Sequence, residues 1–296
     1  MSLRILIPKS FQYHSAKNLN EAINLLKRYD DAKILAGGQS LIPMMKLRIL
    51  SPAHLIDIGK VEDLSYIRKK DNGLMLVGPL TTHSEIEYSD LLKKEVPIMP
   101  ETASQIADQQ VRNLGTIGGS VAHADPAADW PATLLALDAS FKITGTGERV
   151  VSAKQFFKGP FETDIREGEI LTEIQIPLQN GRIGQTYIKF ERRAGDFATV
   201  GVAAYVEINR DGEIKSARIA LSAVAPAAYR AIKAEEILVG KRPSLELVEK
   251  AASFAAEQAE PTSDLRGSVE YKKDMARVFT KRALKSALEK AGVVLR

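Results

Sequence analysis

The sequence predicts an α+β protein of two domains, and three observations carry that expectation. A strand, a glycine loop, a helix and a second strand open the chain; apolar alternation broken by turn signals fills the middle; strands and then helices close it. Length agrees, since 296 residues allow a sizeable core in two domains or subdomains. Hydrophobic residues at 45% and charged residues at 26% are the proportions of an ordinary globular chain.

Asn18-Leu-Asn-Glu21 reads as a capping box, opening a helix with Ala22, Ile23, Leu25 and Leu26 on one face and Asp30-Asp31 after it. Lys33–Ala36 is a short buried strand that runs into Gly37-Gly38, and a helix follows over Leu41–Leu50 with Pro43 tolerated in its first turn. His54–Ile58 is the next strand, so this is a βαβ unit with a candidate anion site at its crossover. Leu64–Ile67 and Leu74–Val77 flank Asp71-Asn-Gly73, a hairpin signal. Thr82-His-Ser-Glu85 is a second capping box whose helix runs to about Lys94, and another helix is expected over Glu101–Gln109. Phe141–Ile143, the Gly145-Thr-Gly147 turn and Val150-Val151 form a further hairpin; Ile170–Ile176 alternates as an extended strand closed by Pro177. Gln179-Asn-Gly181 marks the domain boundary. Beyond it lie strands at Thr186–Phe190, Val200–Ile208 and Ile214–Leu221. Helices follow at Ile232–Val239, at Leu245–Glu257 capped by Ser244, and at Tyr271–Ala291.

Several function classes drop out. The net charge of +4 arises from 41 Lys and Arg against 37 Asp and Glu, interspersed throughout. The one dense basic run, Arg68-Lys69-Lys70, enters a turn, so a solvated surface is expected rather than a nucleic-acid patch. With no cysteine, the chain has no disulfide framework, thiolate zinc site, iron–sulfur cluster or cysteine nucleophile. The apolar run within Met1–Pro8 is too short for a signal peptide, and no stretch reaches a membrane span, so a soluble cytoplasmic protein is expected. No Gly-x-Gly-x-x-Gly opens a helix after the first strand, and no P-loop motif occurs. The histidines at 14, 54, 83 and 123 lack metal-ligand spacing; His123, inside a glycine stretch, fits a structural hydrogen bond.

Two stretches remain: Ala36-Gly-Gly-Gln-Ser40 and, within Asn113–Pro131, Thr116-Ile-Gly-Gly-Ser120. Each sets a glycine pair beside a hydroxyl. Glycine reaches φ > 0 and lets another group approach closely, so each stretch can form an amide-lined anion nest. Either alone could be a tight turn between packed elements; the pair together suits the pyrophosphate of a dinucleotide. Asp125 and Asp129 lie four apart. Asp129 suits accepting a hydrogen bond from a ribityl or ribose hydroxyl, and Asp125 suits a helix N-cap. Trp130, the only tryptophan, is expected in the core rather than as a stacking platform.

Ala36-Gly-Gly-Gln-Ser-Leu41, Arg112-Asn-Leu-Gly-Thr-Ile-Gly-Gly-Ser120 and Ala124-Asp-Pro-Ala-Ala-Asp129 resemble the FAD-binding medium subunit of molybdenum hydroxylases, the carbon monoxide dehydrogenase medium chain above all. The likeness continues through Glu169-Ile-Leu171, Arg192-Arg-Ala-Gly-Asp-Phe-Ala198 and Ser263-Asp-Leu-Arg-Gly-Ser268. It implies a two-subdomain FAD-binding region of the PCMH type over 1–177 (about 1–58 and 59–177). A C-terminal domain, 178–296, with an antiparallel sheet and a helical cluster, would close over the flavin. By the same resemblance Ala36, Gly37, Gly38, Gln39, Ser40 and Leu41, with Thr116, Ile117, Gly118, Gly119 and Ser120, form two pyrophosphate loops. Asp129 contacts the flavin nucleotide, Leu171 packs on the ring system, and Lys189, Asp196 and Phe197 complete the cofactor set. Phe197 departs from the family: the carbon monoxide dehydrogenase chain has a tyrosine there, beside the flavin, and phenylalanine keeps the aromatic wall without the hydroxyl.

The resemblance also implies two partners, a large molybdopterin-binding subunit and a small iron–sulfur subunit, as a dimer of heterotrimers. Electrons pass from the iron–sulfur subunit through FAD to an external acceptor. Substrate identity lies on another polypeptide, and no residue here is expected to be a catalytic acid, base or metal ligand. Two other readings stay open: a self-contained flavin oxidase or reductase, for which His123 or Tyr205 would move protons, and a non-enzymatic nucleotide-binding or scaffolding protein.

Overall fold

The computed structural model describes residues 7–295. Met1–Leu6, part of the stretch behind the signal-peptide expectation, lies outside them. The first unit contains β1 (Gln12–Ser15), α1 (Leu19–Arg28), β2 (Ala32–Leu35), α2 (Leu41–Lys46) and β3 (His54–Asp57). Asn18 caps α1 by accepting from the Glu21 amide at 2.9 Å, and Ala22 and Ile23 turn inward. β3 lies between β1 and β2, parallel to both, and its Ile56 joins Ala16, Ala22 and Ile23 in a small core. β1 was not expected, because Gln-Tyr-His-Ser on an edge offers little apolar alternation. α2 stops at Lys46, short of the expected Leu50; Arg48, at φ 58°, turns the chain out of the helix.

The second unit is a five-stranded antiparallel sheet under a layer of short helices. β4 (Ile67–Lys69) and β5 (Leu74–Val77) form a hairpin around Gly73, whose φ is 79°, but its first strand begins at Ile67, where the expected Leu64–Ile67 strand ends, because Glu62–Leu64 is a 3-10 turn. Then come α3 (His83–Tyr88), α4 (Asp90–Glu95), α5 (Ile98–Ser104), α6 (Gln109–Leu114), α7 (Ile117–His123) and α8 (Asp129–Ala136). β6 (Ser140–Thr144), β7 (Glu148–Ser152), α9 (Ala153–Phe156), β8 (Phe157–Gly159), β9 (Glu162–Thr163) and β10 (Ile170–Pro177) complete it. β10 is central, in the order β4-β5-β10-β6-β7. The helix expected from Thr82 to Lys94 is two helices, because Ser89 turns extended (ψ 111°) and recaps the chain through the Leu92 amide. The expected Glu101–Gln109 helix is likewise split: α5 ends at Ser104, Ala107 has φ 43°, and Asp108 caps α6.

The third unit is a sheet of β11 (Arg182–Phe190), β12 (Val200–Ile208), β13 (Ile214–Ser222) and β14 (Tyr229–Arg230), followed by α10 (Ile232–Leu238), α11 (Leu245–Glu257) and α12 (Val269–Lys290). Its two faces do different work. Val200, Val202, Ala204 and Val206 of β12, with Ile219 and Leu221 of β13, pack under the helices. Tyr187, Ala203 and Ala220, one cross-strand row on the other face, belong to the core of the second unit. β12 is buried along its whole length. Gly184 lets β11 meet α12, since a Cβ there would stand 1.7 Å from the Ala287 carbonyl oxygen.

Candidate functional site

β2 runs straight into Ala36–Ser40, and Gly38 there has φ 73°, a conformation glycine takes without strain. The backbone amides of Gly37, Gly38, Gln39, Ser40 and Leu41 donate no hydrogen bond to any described residue. The Ser40 hydroxyl caps nothing either. Gly37 presses against the α6–α7 turn, where a Cβ would lie 2.1 Å from the Leu114 carbonyl oxygen. A Cβ on Gly119 would lie 3.7 Å from that of Ala36. The two glycine stretches, 80 residues apart in sequence, therefore meet.

The second stretch is not the loop expected. Ile117–His123 is helical, capped by Thr116, and Gly118 and Gly119 sit in its first turn without positive φ. Its amides face inward: Ile117 donates to the Thr81 carbonyl (3.0 Å), Gly118 to Pro79 (2.9 Å), Gly119 to the Thr116 hydroxyl (3.2 Å) and Ser120 to the Thr116 carbonyl (3.1 Å). An amide nest on this side is thus corrected to a completed helix start, because a buried N–H takes the partner nearest to it. Gly118 is glycine for packing, since a Cβ would meet that of Pro79 at 2.3 Å. What the stretch leaves unpaired is hydroxyl: the Ser120 side chain has no partner among the described residues, and Thr116, itself buried, uses its oxygen only to accept.

His83 braces this junction from below, unflagged by any sequence signal. Its amide donates to the Gly115 carbonyl at 2.9 Å, and its Nδ1 accepts from Trp130 Nε1 at 3.1 Å. Burial, then the nearby Arg112 charge, pushes His83 down to about 4, so the ring is neutral with its proton on Nε2. Trp130 is fully buried, the core role expected of it.

Asp129 opens α8 and is 6% exposed. Its oxygens accept from the Tyr187 hydroxyl (2.5 Å) and Lys189 Nζ (3.3 Å), while Lys189 also donates to the Gln105 carbonyl at 2.9 Å. Asp129 thus clamps the second unit to the third, because a carboxylate this deep needs fixed partners. Burial outweighs those partners and raises its pKa to about 6. Asp125 does not cap α8; it accepts from the Ala127 amide in a tight turn (2.8 Å), and Ala128 holds the cap position. Leu171, on β10, is 4% exposed within the main core. Asp196 accepts from the Phe197 amide (2.8 Å) and from Arg192 (3.2 Å), and Phe197 is left 47% exposed. His123 stacks obliquely on Phe161, ring centres 5.1 Å apart.

The arrangement is a cradle of donors. Unbonded amides at 37–41 and the hydroxyls of Ser40, Thr116 and Ser120 suit a phosphate group, which only accepts. It therefore fits the pyrophosphate of a dinucleotide. No helix among the described residues is long and apolar enough to cross a membrane.

Residues 9–179 match the FAD binding domain in molybdopterin dehydrogenase, and residues 185–287 the CO dehydrogenase flavoprotein C-terminal domain. The glyceraldehyde dehydrogenase medium chain of Sulfolobus acidocaldarius is 41% identical over 94% of this chain and 98% of its own length. The carbon monoxide dehydrogenase medium chain of Hydrogenophaga pseudoflava is 42% identical over 95% and 98%. A solved structure of carbon monoxide dehydrogenase from the same organism superposes with a TM-score of 0.93 at 43% identity, over 96% of this chain and 99% of the other.

Proposed function

The chain belongs to the family of FAD-binding medium subunits of molybdenum hydroxylases, and from that premise we propose which residues hold the cofactor and how the subunit is assembled. It is the electron-transfer flavoprotein component of an oxidoreductase whose substrate chemistry sits on a molybdenum subunit. When bound, FAD supplies two-electron chemistry between an iron–sulfur subunit and an external acceptor.

The observation that carries the assignment is the donor cradle where Ala36–Leu41 meets Thr116–Ser120. The first stretch gives amides to the pyrophosphate, and Ser40, Thr116 and Ser120 give hydroxyls. Ile117, Gly118 and Gly119 hold the helix start that aims them. Asp196 fixes the backbone at Phe197, whose exposed ring forms an aromatic wall without a hydroxyl. Leu171, Asp129 and Lys189 shape the site from within the core. We place the FAD-binding domain at 1–177, with subdomains 1–58 and 59–177, and the closing domain at 178–296. The assembly is a cytoplasmic dimer of heterotrimers with a large molybdopterin-binding and a small iron–sulfur subunit. Relatives named for glyceraldehyde and for carbon monoxide match this chain about equally, at 41% and 42% identity, so substrate choice belongs to the large chain.

The test is flavin affinity in Ser40→Ala, Ser120→Ala and the double variant, by quenching of FAD fluorescence. Each lost hydroxyl lowers affinity about ten- to a hundredfold, the worth of a hydrogen bond to a charged group, while the apo melting temperature stays put. Unchanged affinity in the double variant would remove the cradle from the phosphate.

A further inference from the structure

Between the second and third units, beneath the link from Pro177 to Gln179, lies a cavity of about 210 Å³. Its floor is a single row across the sheet. Gln185 on β11 pairs with Tyr205 on β12, and Tyr205 pairs with Arg218 on β13. These residues lie on the same face as Tyr187, Ala203 and Ala220, whose row closes tightly against the second unit. At the next row Tyr205 and Arg218 stand where that row has alanines, Gln185 stands where it has Tyr187, and the packing opens. Gln185 is 8% and Tyr205 2% exposed. Yet Gln185 Oε1, the Tyr205 hydroxyl and Arg218 Nε have no hydrogen-bond partner among the described residues. One unsatisfied buried group is costly; three in a row on a fully buried strand and its neighbours mark a place built for something else to fill.

The chemistry of the row selects the occupant. Arg218 lies over the Tyr205 ring, 3.7 Å from its centre, and gives Nη1 to Asp138 at 2.8 Å, which leaves Nε–H. Burial pushes Tyr205 up to about 12, so its hydroxyl keeps its proton. The Gln185 amide makes no side-chain bond and can turn its NH₂ inward. Asp138 is shared by Arg218, Arg230 and Lys154; Glu235 binds Arg230, Glu95 binds Lys69, Glu207 binds Lys215, and Lys94 adds a further cation to the rim. The surplus is positive. Opposite the row the wall is apolar, formed by Val96, Pro97, Leu137 and Leu178. We propose that this cavity binds a small organic monocarboxylate, its carboxylate on the Gln185–Tyr205–Arg218 row and its apolar body against Pro97, Leu137 and Leu178.

The test uses the full FAD-loaded chain with butyrate and benzoate as probes, butyramide and benzamide as neutral isosteres, and sodium chloride at matched ionic strength. Binding is read by ligand-observed NMR and by crystallography of soaked crystals. The acids bind at one site, with density on the row, and the amides bind at least tenfold more weakly. Gln185→Leu and Tyr205→Phe each weaken acid binding about ten- to a hundredfold, the worth of one charge-assisted hydrogen bond. Tyr205→Phe keeps the test open if Gln185→Leu does not fold. Four results overturn the proposal: ordered waters that persist at saturating acid, equal binding of acids and amides, displacement by chloride alone, or acid binding untouched by both substitutions.

Discussion

Asp129 is enclosed where α8 meets β11, so its proton is coupled to folding. Its pKa stands near 6 in the folded chain against an ordinary 3.8, with burial the main cause. A carboxyl whose folded pKa is raised contributes stability that is complete below the unfolded value and is lost as pH rises through the folded one. Between pH 4 and 7 the carboxyl therefore withdraws about 3 kcal/mol from wild type, and Asp129→Asn is spared that loss. Urea midpoints of both proteins across this range check it; parallel curves would refute it. As an acid of interest Asp129 was legible in the sequence, but its partners were not, because Tyr187 and Lys189 lie 58 and 60 residues away. Gly118 was likewise legible as a required glycine and misread in its reason, since Pro79, the residue it accommodates, signals nothing of the kind on its own.

At the scale of elements, local chemistry was readable wherever the signal was local. The Asn18 and Thr82 caps, the Asp71-Asn-Gly73 turn and the Ser244 cap all stand where the residues place them. What escaped was decided by neighbours. α7 forms across two glycines because Thr116 caps it and the Pro79–Thr81 strip accepts its first amides, a tertiary override of poor intrinsic propensity. The interruptions at Ser89 and Ala107 carry neither glycine nor proline, so the sequence reads through them. Gly184 shows how tightly one contact can be set. Adding a methyl group there drives β11 from α12, and Gly184→Ala is expected to cost about 1–3 kcal/mol, the range for overpacking, with FAD content kept in whatever stays folded. Thermal melts and flavin absorbance measure the two quantities separately.

Over the whole molecule, three clusters of buried residues are joined rather than separate. Leu80 and Ile170 belong to the first cluster although they lie in the second unit, and Tyr187, Ala203 and Ala220 carry the third unit's sheet into the second core. Asp138 binds Arg218 and Arg230 across the same seam, and Glu101 binds Lys290 of the last helix. A seam this continuous makes the chain unfold as one body. Calorimetry of the FAD-free protein should show one transition with matching calorimetric and van't Hoff enthalpies; two resolved peaks would mean the units are independent. The turn at Gln179–Gly181 marked where one sheet gives way to the next, since Pro177 ends β10 and Arg182 starts β11. That the faces of those sheets share a core was not readable, because one row of alternating residues looks the same whether it meets helices or another domain.

The inward-turned amides of α7 have a consequence for how the coenzyme is captured. In the proposed cradle the α7 backbone is already fixed by folding, so arrival of the ligand costs little ordering on that side. In the proposed site the residues around Gly38, whose N–H groups wait without partners, supply the bonds that grip the phosphates, so substitutions there are expected to shorten flavin residence.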